Sequence, residues 1–188
     1  ITCGYAEILK HSLINDRKFF NFLDKNLNKI LKLKRKYLEK AILESCKVKK
    51  QIIERDEKEL NLRKSLNLGH TFGHAYEATL NYSKKLNHGE GVLYGILSAT
   101  KLSKKLKILK KGDYELILSH LSKLNFFDLN KFFKKRDTSK IVRFMIADKK
   151  NTSNKINFVT LKRIGKVSVD IQLNTYKVKG FVELELLK

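Results

Sequence analysis

The most chemically suggestive part of the sequence is a run of histidines, glycines and apolar residues. Residues 63–75 read Arg-Lys-Ser-Leu-Asn-Leu-Gly-His-Thr-Phe-Gly-His-Ala. On a helix, Asn67, His70 and His74 would lie one above another on one face. Arg63 would join that face if the helix began one turn earlier. The flanking side chains are apolar, and buried polar groups are costly without partners, so the stripe predicts a metal or an anionic ligand.

Two glycines, Gly69 and Gly73, interrupt this stretch. Each costs about 1 kcal/mol of helix propensity relative to alanine, so they indicate that something approaches the backbone closely. Two histidines four residues apart also occur in helices that bind nothing, where they are solvated or hydrogen-bonded. The histidine pair alone therefore leaves a metal site open, and further ligands must come from elsewhere.

Two other segments offer ligands of suitable type. Near the amino terminus, Glu7, Lys10 and His11 share a helix face, so a carboxylate and an ammonium emerge side by side. Further along, His88 precedes a glycine-rich helix start. One carboxylate and two imidazoles from separate elements form the ligand set of a catalytic zinc site, which keeps a position open for water or substrate. The same set tolerates other divalent metals.

The elements that must position these residues are mostly helices. Apolar residues recur at helical spacing in segments 5–14, 17–31, 34–55, 66–82, 90–107, 113–123 and 138–147. Residues 156–161 and 167–171 alternate with period two around a turn, which predicts a β-hairpin, and 176–187 is expected to be a closing helix. The sequence therefore predicts a mainly α fold, a helical bundle with a small carboxy-terminal β-hairpin.

Taken together, these motifs resemble those of the 3-dehydroquinate synthases. The shared blocks are Gly-x-Ala-Glu-x-x-Lys from Gly4, Leu-Arg-x-x-Leu-Asn-x-Gly-His-Thr-x-Gly-His-Ala from Leu62, His-Gly-Glu from His88 and Asp-Lys-Lys from Asp148. They occur in the family's order, and the acidic segment 56–59 also matches. The resemblance implies that residues 1–188 form the family's α-helical carboxy-terminal domain, which binds metal and substrate. The amino-terminal α/β domain that holds NAD⁺ has no counterpart in these residues.

The resemblance also implies roles for individual side chains. The implied ligands of a zinc or cobalt ion are Glu7, His70 and His88. The implied substrate contacts are Lys10, Lys49, Arg63, Asn67, His74 and one of Lys149 and Lys150. His74 would hydrogen-bond or move protons at the reacting hydroxyls, since histidine titrates near neutrality. Glu59 would orient Arg63 or a neighbour, whereas His11 and His120 match nothing and are expected at the surface.

The implied substrate is 3-deoxy-D-arabino-heptulosonate 7-phosphate, whose carboxylate and phosphate require several cations. The implied reaction is transient oxidation by NAD⁺, β-elimination of phosphate, re-reduction and aldol closure to 3-dehydroquinate in the shikimate pathway. No Gly-x-Gly-x-x-Gly loop occurs in the sequence, so we expect these residues alone to be inactive. A homodimer is also implied.

The strong positive charge of the chain raises the alternative of a nucleic-acid-binding protein. A net charge of +22 would suit a nucleic-acid-binding module. Yet only seven of the 41 basic residues are arginine and the lysines are spread along the chain, which favours a solvated surface.

The nearest alternative is another sugar phosphate cyclase, such as a 2-deoxy-scyllo-inosose or valiolone-type synthase. Retention of Arg63, Asn67 and the segment 148–150 favours a dehydroquinate synthase, and a degenerate structural fragment is the third alternative.

The remaining composition indicates an ordinary soluble protein. Two cysteines, Cys3 and Cys46, are too few for a disulfide scaffold. No run of about 18 apolar residues indicates a membrane span. We therefore expect a cytoplasmic protein with reduced thiols.

Overall fold

A computed structural model describes residues 2–126, 128–147 and 155–187 of the chain. The helices are α1 (Thr2–Asn15), α2 (Arg17–Leu31), α3 (Arg35–Arg55), α4 (His70–Thr79), α5 (His88–Lys105), α6 (Lys111–Lys123), α7 (Thr138–Ala147) and α8 (Thr175–Phe181). A 3-10 turn at Leu62–Asn67 precedes α4, and α8 continues into a π-helical turn at Val182–Leu186. The strands are β1 (Lys155–Arg163) and β2 (Lys166–Asn174), paired antiparallel.

The predicted fold class, a helical bundle with a carboxy-terminal hairpin, is confirmed. The predicted helices 17–31 and 138–147 coincide with α2 and α7. The predicted continuous helix 66–82 is wrong, because Gly69 adopts a left-handed conformation with φ 81° and separates the 3-10 turn from α4. Asn67 therefore does not share one helix with His70. Among the described residues, no helix is both long and apolar enough to pass through a membrane.

Helix α5 forms the centre of the bundle. Every residue from Gly91 to Ser103 except Lys101 is buried. The helix begins with a capping box, in which the Asn87 side chain accepts from the backbone nitrogen of Glu90 at 3.1 Å. The Glu90 carboxylate in turn accepts from the backbone nitrogen of Asn87 at 3.0 Å. This reciprocal cap satisfies two free backbone donors and thereby fixes where α5, and His88 at its start, begins.

Helices α4 and α5 approach each other closely through glycines. A Cβ built on Gly73 would lie 2.8 Å from the carbonyl oxygen of Gly91. One built on Gly95 would collide with the carbonyl group of Gly69. The predicted close approach to the backbone at Gly69 and Gly73 is thus confirmed, and the approaching group is the backbone of α5.

The hairpin lies against the amino-terminal helix and the central helix. At its turn, the backbone nitrogen of Gly165 donates to the carbonyl oxygen of Leu13 in α1 at 2.8 Å. The backbone nitrogen of Leu161 donates to the Ser103 hydroxyl of α5 at 2.9 Å. On β1, Phe158 packs against Phe72 of α4 with ring centroids 5.0 Å apart. The hairpin is therefore a fixed wall beside the start of α4.

Two histidines expected at the surface are buried, so that prediction is wrong. His120 is fully buried, with Nε2 2.8 Å from the Tyr5 hydroxyl and Nδ1 2.8 Å from Asp24. His11 is also buried, with Nδ1 2.7 Å from the Ser45 hydroxyl. Both lie on helix faces that pack inward. Partners on other helices, which local sequence does not identify, compensate both ring nitrogens of His120 and the Nδ1 of His11.

Candidate metal and substrate site

Three histidine side chains converge where α4 and α5 begin. His70 is the first residue of α4, His74 follows one turn later, and His88 is the first residue of α5. The ring centroid of His70 lies 5.1 Å from that of His74 and 6.2 Å from that of His88. The centroids of His74 and His88 are 6.1 Å apart. Side chains from two helices thus form one imidazole cluster, with His74 and His88 exposed and His70 partly buried.

Helix α1 brings a carboxylate and an ammonium to the same region. The Lys10 ammonium donates to both carboxylate oxygens of Glu7, at 2.9 and 2.8 Å, and the Lys10 side chain is only 3% exposed. Burial alone would raise the pKa of Glu7, but the charge and hydrogen bonds of Lys10, helped by His70, hold that pKa below its ordinary value. Burial lowers the pKa of Lys10, although Glu7 opposes this.

The protonation state of His70 suits a metal ligand. Burial lowers the pKa of His70 to about 4, with Lys10 and His74 acting in the same direction and Glu7 opposing. The imidazole is therefore neutral at pH 7, which is the form that binds metals. The ionised Glu7 beside it supplies an anionic oxygen. These nitrogen and oxygen donors fit Zn²⁺ or another divalent ion.

The geometry also picks out a carboxylate that sequence reasoning missed. Among the described residues, the ligand atoms of His74, Glu77 and His88 all lie within 4.8 Å of one another. His88 Nδ1 lies 2.9 Å from Glu77 Oε1, whereas Glu7 is engaged by Lys10. The ligand set of Glu7, His70 and His88 therefore stays a prediction. The signal for Glu77 was its position three residues after His74, on the same helix face.

A cleft of about 520 Å³ opens beside the imidazole cluster. One side is lined by Asn67, His70 and His74, and the other by residues 157–159 and Asp170 of the hairpin. Two lysines that sequence reasoning did not select, Lys58 and Lys64, also line it. Lys64 forms an ion pair with Asp170 at 2.7 Å, which joins the 3-10 turn to β2 across the cleft.

Of the remaining predicted substrate contacts, Asn67 lines this cleft, whereas Arg63 and Lys49 are not among its lining residues. Asn67 donates its amide to Glu59 Oε1 at 2.8 Å, so Glu59 orients the neighbour Asn67. The Arg63 guanidinium donates to the carbonyl oxygen of Glu57 at 2.6 Å. Lys49 is exposed on α3, near enough for its charge to lower the pKa of Lys10, after the larger effect of burial. The predicted contacts Lys149 and Lys150 lie outside the described residues.

Comparison with known proteins gives consistent matches. The family model described as "3-dehydroquinate synthase C-terminal" matches residues 4–151. The 3-dehydroquinate synthase of Pelagibacter ubique is 52% identical over 189 residues, which cover 100% of this chain and 51% of that protein. The 3-dehydroquinate synthase of Thermodesulfovibrio yellowstonii is 36% identical over 179 residues, covering 94% and 48%. The chain thus spans about half the length of these curated relatives.

Solved structures share the fold at lower identity. A 2-deoxy-scyllo-inosose synthase, solved with carbaglucose-6-phosphate, NAD⁺ and Co²⁺, has a TM-score of 0.81 and 21% identity, covering 97% of this chain and 51% of its own. A 2-epi-5-epi-valiolone synthase of Streptomyces hygroscopicus, with NAD⁺ and Zn²⁺ bound, has a TM-score of 0.80 and 16% identity, covering 95% and 49%. At these identities the likeness shows the fold alone.

Proposed function

This chain belongs to the 3-dehydroquinate synthase C-terminal family, and on that premise we propose that it is the metal- and substrate-binding half of a 3-dehydroquinate synthase. The whole enzyme would convert 3-deoxy-D-arabino-heptulosonate 7-phosphate to 3-dehydroquinate and phosphate. Residues 1–188 would form its helical domain, and an amino-terminal α/β domain would hold most of the NAD⁺. A cytoplasmic homodimer acting without nucleic acid or membrane is part of the same proposal.

The observation that carries the proposal is the imidazole cluster of His70, His74 and His88 beside the Glu7–Lys10 pair. Glu7, His70 and His88 would hold a Zn²⁺ or Co²⁺ ion. When bound, such an ion lowers the pKa of the hydroxyls that it contacts and polarises an adjacent carbonyl. The two solved structures of the same fold that contain NAD⁺ with Zn²⁺ or Co²⁺ support this choice of cofactors.

The chain's own cations would bind and orient the substrate. Lys10, Lys49 and Arg63 would pair with its carboxylate and phosphate, because charge-assisted hydrogen bonds to anions are the strongest available to these side chains. Either Lys149 or Lys150 would join them. Asn67, held by Glu59 at 2.8 Å, would hydrogen-bond a substrate hydroxyl in a fixed direction.

His74 would handle the proton of the reacting hydroxyl. It lies one helical turn after His70 on α4, its ring centroid is 5.1 Å from that of His70, and its side chain is exposed at the cleft. An imidazole can accept a proton near neutral pH and return it later in the cycle. This exposure gives the His74 side chain access to a molecule bound in the cleft.

A second candidate is another sugar phosphate cyclase. The two solved proteins cited above are named as synthases of that kind, a 2-epi-5-epi-valiolone synthase and a 2-deoxy-scyllo-inosose synthase. The 52% identity to a curated 3-dehydroquinate synthase over the whole chain favours the first candidate. The two differ in substrate, so a turnover assay separates them.

The test is a chimera in which this chain replaces the matching half of the Pelagibacter ubique enzyme. We expect it to form 3-dehydroquinate with NAD⁺ and a divalent ion, and the chain alone to form none. His70→Ala and His88→Ala should each abolish stoichiometric metal and turnover, whereas Glu44→Gln, on the exposed face of α3, should change neither. A chimera active only on other sugar phosphates would favour the second candidate. Turnover by the chain alone would contradict the proposal that an amino-terminal domain is needed to hold NAD⁺.

A further inference from the structure

Glu77 is a buried carboxylate that the proposed reaction does not use. It lies on α4, and its side chain is 8% exposed, whereas that of His88 is 56% exposed. Its Oε1 lies 2.9 Å from His88 Nδ1. A carboxylate removed from water is costly unless it is paired and hydrogen-bonded. The burial of Glu77 therefore stabilises its contact with His88.

The packing of α5 leaves a space shaped for this side chain. A Cβ built on Gly91 would lie 3.0 Å from Glu77 Cγ and 3.1 Å from Oε1. Glycine at position 91 thus lets the carboxylate lie against the first turn of α5, where His88 begins the helix. The position of Glu77 is set by backbone packing as well as by the hydrogen bond.

The direction of the hydrogen bond decides which nitrogen of His88 is available. An ionised carboxylate only accepts, so His88 Nδ1 carries the proton and donates. In the neutral imidazole the lone pair then lies on Nε2. Histidine metal ligands almost always donate their other ring N–H to a carboxylate, a backbone carbonyl or water, and such a partner fixes both tautomer and ring orientation.

We propose that Glu77 is the positioning residue for His88, holding its ring with Nε2 directed to the metal. This inference rests on the proposed function, because it presumes that His88 is a ligand. The alternative is that Glu77 itself binds the ion, since the ligand atoms of His74, Glu77 and His88 lie within 4.8 Å. The hydrogen bond between Glu77 and His88 already explains why these two side chains are close together, so their closeness does not require a shared ion.

The experiment measures the Co²⁺ affinity and the tautomer of His88 in the full chain. The same measurements are then made on the chimera. Competition with a chelator should show that Glu77→Gln weakens Co²⁺ binding by about 10- to 100-fold, the usual range for such partners. The Co²⁺ absorption spectrum should keep its shape, because the ligands are unchanged. Glu115→Gln, an exposed carboxylate on α6, should bind as the unmodified chain does.

A second measurement needs no metal. ¹⁵N NMR of the metal-free chain should show His88 protonated at Nδ1, and a mixture of tautomers in Glu77→Gln. Glu77→Asp, which keeps the charge on a shorter side chain, should give intermediate affinity. It also serves as the test variant if Glu77→Gln does not fold.

The outcomes separate this inference from the proposed function. Unchanged affinity and tautomer in Glu77→Gln, with normal metal binding by the unmodified chain, would overturn the role of Glu77 alone. An altered Co²⁺ spectrum in that variant would make Glu77 a ligand and would also overturn it. Absence of metal binding by the unmodified chain and chimera would remove the proposed metal site, and the inference with it.

Discussion

At the scale of single residues, burial sets the chemistry of His11. Its side chain is 3% exposed, and within the described part of the chain its Nε2 has no hydrogen-bond partner. Burial lowers the pKa of His11 to about 4, with Lys10 acting in the same direction and Glu7 opposing. His11 is therefore neutral at pH 7, and protonating it in the folded protein requires placing a positive charge in a buried site beside the Lys10 ammonium.

This pKa predicts a loss of stability in acid. The folded pKa of about 4 lies below the unfolded value of 6.5, so the unfolded chain binds the proton first as pH falls. Stability from this group is complete above the unfolded pKa and is lost as pH falls toward 4, by about 2 kcal/mol between pH 7 and pH 4.5. Urea unfolding of His11→Asn should show a pH dependence smaller by about that amount. Equal pH dependence in both proteins would contradict it.

Sequence reasoning reached most of the candidate site residues but not Glu77. The motifs offered a carboxylate and imidazoles of suitable type, and the family resemblance implied Glu7, His70 and His88 as the ligands, which stays a prediction. The role of Glu77 depends on a rotamer that reaches from α4 to α5, a contact that neither segment encodes alone. His120 was misplaced for the same reason, since its partners Tyr5 and Asp24 are about a hundred residues away.

At the scale of elements, glycines determine how closely α4 and α5 pack. Periodicity predicted where most helices lie, because their buried faces repeat every three to four residues. It did not predict the break at Gly69, because a left-handed residue does not disturb the apolar pattern around it. That break places His70 at the first position of α4, beside the start of α5.

A pair of glycine substitutions tests this packing. Gly95→Ala would force its new methyl group into the carbonyl group of Gly69, so we expect a loss of roughly 3 kcal/mol or more in the free energy of unfolding. Gly180→Ala meets no atom within 4 Å, and should gain up to about 1 kcal/mol from helix propensity. Thermal unfolding of both variants measures this. A Gly95→Ala variant as stable as Gly180→Ala would show that the helices can separate at little cost.

At the scale of the whole molecule, the net charge of +22 predicts only weak, unspecific attraction to polyanions. Lysine, which dominates the positive charge, acts as a point charge and lacks the planar fork of arginine. We expect binding to duplex DNA at 50 mM salt to weaken by about 10³-fold or more at 200 mM, whereas Co²⁺ binding should change little. Fluorescence anisotropy at both salt concentrations measures the first. Tight, submicromolar binding to arbitrary duplex that is steeply salt-dependent, together with no metal requirement, would instead support the nucleic-acid-binding alternative.

The hydrogen bond from Gly165 to Leu13 has a consequence for biosynthesis. The hairpin that walls the cleft is anchored to the helix that carries Glu7 and Lys10, and the two partners are separated by most of the chain. A nascent polypeptide leaving the ribosome can form α1 early, but it has no second cleft wall until residues 155–174 have emerged. The binding surface is therefore incomplete until residues 155–174 have been synthesised and can pack against α1.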